Sequence, residues 1–305
     1  MGCSRSETKA LVVGTSIWPG YEPGYLAESE GLYQSVPVSM RQFASATEVL
    51  RAFRNQLIDV AGLTLDEVFQ LAQHDHDVAV ILVCDISDGA DVIMARPGIN
   101  RISDLSGKRI AAEGTALGAF VVARAFEIHD VDPQTVTVES ITVDESLVSY
   151  RNNEIDAVVT FEPFRTKLLN AGAVEIFNSK EIPNEIVDVL VARKSVINEH
   201  PALFRDFLGG WLAAINLIHT VPEKAFPVIA RRLDISAEEV ALAYDGLRLP
   251  NRATNQSLLV GNEATLPATA KALNEVLVAK GLVEKGVDVD TLLSGQILCQ
   301  CSAPA

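Results

Sequence analysis

The sequence predicts an α/β protein of two similar lobes with a helical carboxyl-terminal third, and three observations carry that reading. Short apolar runs alternate with amphipathic helical stretches as far as Ala192, the pattern of parallel sheets covered by helices on both faces. Seven residues, Phe53-Arg54-Asn55-Gln56-Leu57-Ile58-Asp59, recur as Tyr150-Arg151-Asn152-Asn153-Glu154-Ile155-Asp156, with five positions identical or aromatic-for-aromatic. Each copy joins a helix to an apolar strand that reaches a Thr (Thr64, Thr160), with an acid two residues on (Asp66, Glu162). Shared order and content imply two similar units, and two facing lobes make a cleft for a small ligand. Beyond Ala192 the apolar spacing becomes helical.

The elements follow in order. Ala10 to Gly14 reads as a buried first strand. Pro23 to Glu30 is a short helix stopped by Gly31. Ser45-x-x-Glu48 and Thr64-x-x-Glu67 are capping boxes, each opening a helix with one apolar side. Strands are expected at Ile58–Leu63, Val78–Cys84 and Asp91–Ala95. A second set has strands at Lys108–Ala112 and Asp156–Thr160 and helices at Ala119–His129 and Asp144–Asn152, with Phe164 entering another that runs to Gly172. After a strand at Val187–Ala192, helices are expected at Pro201–His219, Pro222–Leu233, Ala237–Tyr244 and Ala264–Lys280. The first of these carries an aromatic stripe (Phe204, Phe207, Trp211) that suits a core.

Composition narrows the function. At 305 residues the chain suits two domains or lobes. It is 48% hydrophobic and 21% charged, which is globular. A formal charge of −15 argues against nucleic acid, because phosphate binding needs clustered Lys and Arg. The most apolar stretch, Val78–Cys84, is strand-sized, too short for a membrane span. Cys84 reads as a buried thiol, and Cys299-x-Cys301 is tighter than a zinc pair. No metal-ligand spacing, Walker loop or Gly-x-Ser-x-Gly stands in the sequence, so no cofactor or metal is expected. Scattered histidines, with His74-x-His76 at a polar helix end, add no catalytic pattern.

The first eight residues read as a tether. Gly2-Cys3 resembles the end of a bacterial lipoprotein signal, in which the Cys becomes the lipidated first residue. The same residues also fit the M-G-x-x-x-[ST] myristoylation pattern, and a plain cytosolic start is a third reading.

Strand one ends in Thr15-Ser16-Ile17-Trp18-Pro19-Gly20-Tyr21-Glu22-Pro23, an aromatic loop where open α/β sheets hold their ligands. This loop, with Ser87-Asp88-Gly89-Ala90-Asp91, Ser103-Asp104-Leu105-Ser106-Gly107-Lys108, Glu113-Gly114-Thr115, Thr160-Phe161-Glu162-Pro163 and Ile186-Val187-Asp188-Val189-Leu190-Val191, resembles the NitT/TauT-like solute-binding proteins of ABC importers. That family has the type II periplasmic-binding-protein fold, related to sulfonate, nitrate, taurine and thiamine-precursor binders. The resemblance implies two α/β lobes joined by two crossover strands, near Asp91–Ala95 and Asp188–Ala192. It divides the chain into a tether at 1–8, lobe one at 9–92 and 192–305, and lobe two at 93–191, with hinge closure on the solute.

The expected cleft residues are Ser16, Trp18, Tyr21, Thr64, Asp66, Asp88, Asp91, Gly114, Thr115, Ala116 and Glu162. Trp18 and Tyr21 offer flat walls. Thr115 and Ala116 open a helix whose free N–H groups suit an anion. Singly, each has a structural alternative: Thr64 and Thr115 as caps, Asp91 as an ion-pair partner of an arginine, Glu162 as a helix-dipole acid. The acids disfavour a pure anion, so nitrate or a sulfonate, a zwitterion, and a pyrimidine or amine all stay open. Also implied are a monomer, an ABC permease and its ATPase as partners, and a location in the periplasm or on the outer face of the cytoplasmic membrane, with lipidation at Cys3. Fungal pyrimidine synthases share the fold, but their cysteine-rich motif and active-site histidines have no counterpart here, so the expectation is a binder and not an enzyme. A sensory partner is a third possibility.

Overall fold

A computed structural model describes residues 10–34, 36–114, 116–261 and 263–293, with Ala116 described by its backbone alone. In chain order come β1 (Leu11–Thr15), α1 (Glu22–Ser29), β2 (Val38–Gln42), α2 (Ala46–Arg54), β3 (Val60–Thr64), α3 (Leu65–Ala72) and β4 (Val78–Ser87). Next are β5 (Val92–Ala95), β6 (Arg109–Ala112), α4 (Ala116–Ile128), β7 (Thr137–Ser140), α5 (Val143–Arg151), β8 (Ala157–Thr160), α6 (Phe164–Asn170) and β9 (Val174–Asn178). The chain then forms β10 (Val187–Arg193), α7 (Lys194–Glu199), α8 (Pro201–Thr220), α9 (Pro222–Leu233), α10 (Ala237–Asp245) and β11 (Leu247–Arg248). It closes with α11 (Arg252–Leu259), α12 (Leu266–Ala279) and α13 (Val289–Leu292). Among the described residues no helix is long and apolar enough to cross a membrane.

Two sheets result, ordered β11-β4-β10-β3-β1-β2 and β7-β6-β8-β5-β9. β1 lies parallel to β2 and β3, and β6 parallel to β7 and β8. The expectation of parallel sheets throughout is corrected: β10 runs antiparallel to β3 and β4, and β5 antiparallel to β8 and β9. These two strands arrive from the other sheet instead of returning over a crossover helix, so nothing obliges them to run parallel. Residues of β3 and β4 are buried throughout, as strands covered on both faces must be. α4 begins at Ala116, three residues before the predicted Ala119, and Glu48 returns its carboxylate to Ala44 N–H, not to Ser45.

The sequence echo is also a structural one. Gln56 and Asn153 hold the same place in their copies and both have positive φ, 58° and 62°. Asp59 accepts a hydrogen bond from Val12 N at 2.9 Å, and Asp156 accepts one from Arg109 N at 2.8 Å. Each acid thereby ties its own strand to the first helix-covered strand of its sheet. Above each aromatic lies a guanidinium: Arg193 is 4.0 Å from the Phe53 ring centroid and Arg96 is 4.4 Å from that of Tyr150. Both arginines also donate to the carbonyl of the aromatic they cover. Packing, charge and backbone conformation repeat together.

The helical third braces the first sheet. α8 lays Trp211 against α1, where a Cβ on Gly24 would lie 2.3 Å from the indole. Arg232 of α9 grips the buried Glu22 with two bonds of 2.7 Å and stacks over Tyr25, 3.4 Å from its centroid. A fork of this kind is the strongest common form of ion pair, so Glu22 holds α1 to α9.

The chain passes between sheets at residues 88–91 and returns at 179–186, and Ser179 fastens the two passages. Its Oγ lies 2.7 Å from Ser87 Oγ and accepts from Gly89 N at 2.7 Å, while its N–H donates to Asp91 O at 2.9 Å. Gly89 has φ of +112°, and a Cβ there would stand 2.9 Å from the Lys180 side chain. Ser179 is fully buried, so Ser179→Ala leaves buried donors unpartnered. A loss of about 1–3 kcal/mol is expected in urea denaturation, and an unchanged midpoint would show that the two passages are held by other contacts.

Candidate functional site

Between the sheets lies a cavity of about 40 Å³, room for a few waters at most. Ser16, Trp18, Tyr21, Ala46, Thr64, Glu67 and Asp188 line it from the first-sheet side, Glu113, Leu117 and Phe161 from the second, and Asp91 from the passage between them. The loop after β1 is a tight turn over Pro19–Tyr21, with Tyr21 N donating to Trp18 O at 3.0 Å. Gly20 is what lets this turn approach β4: a Cβ there would fall 1.7 Å from Asp85 Oδ2. Trp18 Nε1 therefore reaches Asp85 Oδ2 at 3.0 Å, and Tyr21 OH donates to Asp188 Oδ1 at 2.5 Å. Across the cavity Trp18 meets Phe161 edge to face, centroids 5.1 Å apart. Both aromatic walls are fixed by buried acids.

Carboxyl groups dominate the electrostatics. Glu67, Asp91, Glu113 and Asp188 line the cavity, with Asp66 and Asp85 buried close by. Among the described residues none of these six pairs with a Lys, Arg or His within 4.0 Å. Burial pushes Asp91 up to about 7, against a bond from Ser87 and with help from the charge of Asp66. Burial likewise pushes Glu113 up to about 7, with Asp144 adding to it, although the N–H groups of Ala46 and Thr47 at the start of α2 favour its charged form. Burial comes first in raising all three of Glu67, Asp85 and Asp188; the charges of Asp66 and Glu113 then raise Glu67, that of Asp91 raises Asp85, and those of Asp85, Asp91 and Glu67 raise Asp188. Several buried polar atoms lack a partner: Asp91 Oδ2, Asp66 Oδ2, Asp85 Oδ1, Glu113 Oε1 and Thr64 Oγ1.

Of the residues the sequence nominates, the structure brings Ser16, Trp18, Tyr21, Thr64 and Asp91 together around this cavity. Asp66, in the first turn of α3, sits behind it and acts on Glu67 and Asp91 through its charge. Asp88 is half-exposed and turned to the surface, 3.7 Å from Arg248 Nε, so the structure removes it from the cavity wall. Glu162 is likewise drawn away: it accepts from Thr166 N and Oγ1 at 3.2 and 3.0 Å and lies 3.6 Å from Arg165, closing the first turn of α6 on itself. Gly114 is exposed, and a Cβ there would lie 2.4 Å from Ser140 Oγ; it does not line the cavity. Ala116 is the first residue of α4, while Thr115 and Cys3, like Cys299 and Cys301, lie outside the described residues. Cys84 is fully buried in β4, where burial raises its thiol well above the usual range.

Glu67, Glu113, Phe161 and Asp188 were present in the recognised motifs but not nominated. Glu67 also closes a capping box, its carboxylate accepting from Thr64 N at 3.1 Å, so its spacing by itself points to a cap. Asp188 lay within an apolar strand, Val187–Ala192, and a charged residue inside a run of that kind is the signal that could have found it.

The sequence model of the NMT1-like family matches residues 4–233. The taurine-binding periplasmic protein of Escherichia coli (strain K12) is 20% identical over 207 residues, which cover 66% of this chain and 64% of that protein. The chain thus matches about 64% of that relative's length. The periplasmic aliphatic sulphonate binding protein SsuA of Escherichia coli has a TM-score of 0.76 at 18% identity, over 96% of this chain and 99% of that chain. The desulfurization enzyme DSZB has a TM-score of 0.72 at 12% identity, over 95% and 98%. The fold is that of the periplasmic binding proteins, as the sequence motifs imply.

The raised carboxyls set a pH dependence for the unliganded protein. The folded state holds protons on Asp91 and Glu113 that the unfolded chain, with ordinary carboxyls, has released by about pH 5. The contribution of these two groups to stability is therefore fully present below the unfolded carboxyl range and is lost as pH rises through about 7, the reverse of an ion-paired carboxylate. Melting scans from pH 5 to pH 8 should show a falling Tm, with a shallower fall in Asp91→Asn. A Tm that climbs with pH would mean these acids are better solvated than the geometry indicates.

Proposed function

The chain belongs to the NMT1-like family, and on that premise we propose that it is a NitT/TauT-type solute-binding protein that captures a small polar organic solute for an ABC importer. The observation that carries this reading is a cavity walled from two sheets and spanned by two chain passages, the geometry of a cleft that closes over its ligand. In this reading the lobes follow the two sheets: because all of β10 pairs with β3 and β4, the expected boundary at 191/192 moves back to about 186/187, and the passages around Ser87 and Ser179 are the hinge. At about 40 Å³ the cavity is smaller than an organic solute, so in this reading the lobes part to admit the solute and settle around it. The curated relative binds taurine by name, which supports the taurine and sulfonate class as the first to be tried.

The partners are then an ABC permease and its ATPase, reached outside the cytoplasmic membrane by a monomer anchored through Cys3. The protein binds and does not transform its solute. DSZB shows that this fold also carries enzymes, but the cavity wall here offers carboxyls and aromatic rings, and the Cys84 thiol is sealed inside β4.

A thermal-shift screen of taurine, sulfonates, nitrate, amines and pyrimidines tests the reading. A matching solute at a hundredfold excess over its Kd stabilises the fold by about 2.7 kcal/mol through mass action, and the solute should be recovered unchanged. Turnover of one of them, without any saturable shift, would replace the binder by an enzyme.

A further inference from the structure

We propose that the solute held in this cavity carries a positively charged nitrogen, such as a protonated amine, an amidinium or an N-protonated ring, which takes the place of a counter-ion among Asp91, Glu113, Glu67 and Asp188. The proposal rests on the solute-capture reading and specifies its ligand class.

The four acids come from four different segments: the first turn of α3, the passage before β5, the end of β6 and the start of β10. Among the described residues no basic side chain lines the cavity. A bare anion placed there would lose its hydration and face four carboxyl groups with only the start of α4 to offset them. A cation gains from each of them, because charge-assisted bonds from N–H to carboxylate are about twice as strong as neutral ones. Independent of the cluster's charge, the hydrogen-bond inventory has an opening. Asp91 is 2% exposed and lines the cavity, yet its Oδ2 has no partner. Native interiors seldom leave such an acceptor alone, and a polar group of a bound solute is one partner that would satisfy it. Glu113 Oε1 is in the same condition.

The aromatic walls agree with this. Trp18 and Phe161 bring ring faces and edges to the same space, and a ring face attracts cations, tryptophan best of all. An organic cation fits better than a metal ion, because among the described residues no group of three His, Cys, Asp or Glu side chains is placed to hold one. The start of α4, with Leu117 in the wall, gives a second, weaker preference for an anionic group at the far end of the solute. A zwitterion thus satisfies the site with its ammonium on the acids, whereas nitrate or a simple alkanesulfonate does not.

The test is isothermal titration of the purified chain against compounds matched in size and sorted by charge: alkylamines, amidines and N-protonated heterocycles; amino acids and taurine; alkanesulfonates and nitrate; neutral amides. Binding is expected only among compounds with a cationic nitrogen. Asp91→Asn, which keeps the shape and removes a buried charge, should weaken the best of them about tenfold or more, with circular dichroism unchanged. Glu113→Gln, partly exposed and so easier on the fold, should do the same and serves if Asp91→Asn does not fold. Hits confined to sulfonates, nitrate or neutral compounds overturn the inference and leave solute capture standing. A cationic hit that binds both variants as tightly as the parent also overturns it. No hit in any class overturns solute capture, and this inference with it.

Discussion

The register of one strand decides where the chemistry of this protein lies. β10 enters the first sheet between β3 and β4, with Asp188 opposite Thr64 on one side and Asp85 on the other. Its neighbours in the strand are aliphatic and buried, so the pairing is held by the apolar residues while the acid is carried along. A slip of one residue would turn Asp188 to the other face of the sheet. Tyr21 would then lose its acceptor, and Trp18 would lose the layer against which its own acceptor, Asp85, is set. The loop after β1 is positioned by these two acids more than by its own turn residues. Gly20 and the two prolines permit its path; the carboxyls select it.

The seven-residue echo explains how a cleft with two similar walls arises. In each unit a left-handed residue ends a helix, an acid ties the next strand to the first, and an arginine from a distant strand covers the aromatic. Arg193 ends β10 and Arg96 directly follows β5, the two strands that come from the opposite sheet. The chain therefore uses the same device to seat each incoming strand. Seating both passages fixes where they meet, and Ser179 joins them at that point. The units then part ways: the first is thickened by α8 to α12, the second remains thin.

Legibility in the sequence followed burial. The strands recognisable as apolar runs, β1, β3, β4, β6, β8 and β10, are interior to the sheets, as is β5. Those that the periodicity did not announce, β2, β7, β9 and β11, are the four sheet edges. An edge strand such as Thr137–Ser140 or Val38–Gln42 faces water along one side and has no need of an apolar run. The site divides in the same way. Residues with an aromatic or loop signature, Trp18 and Tyr21, could be read directly. Asp88 and Glu162 could not be told from Asp91, since an acid beside a strand end looks the same whether it meets Arg248, Thr166 or an empty space. That distinction is made by residues 160 and 4 positions away, one of them beyond the reach of any local pattern.

If the lobes close over a cationic solute as proposed, the ring of acids couples occupancy to closure. Glu113 belongs to the second unit, Glu67 and Asp188 to the first, and the charge of Glu113 already raises Glu67 across the cavity. Without a cation the lobes approach against this repulsion, relieved only by protons held on the raised carboxyls and by the N–H groups of Ala46 and Thr47 that Glu113 accepts from. A cationic nitrogen between the units changes the sign of that term in the closed form and hardly alters it in an open one, where water screens the acids. Differential stabilisation of one form is all that a ligand needs in order to shift a hinge. On the proposed reading, the carboxyls that repel one another across the cavity are the same groups that a small cation would bridge.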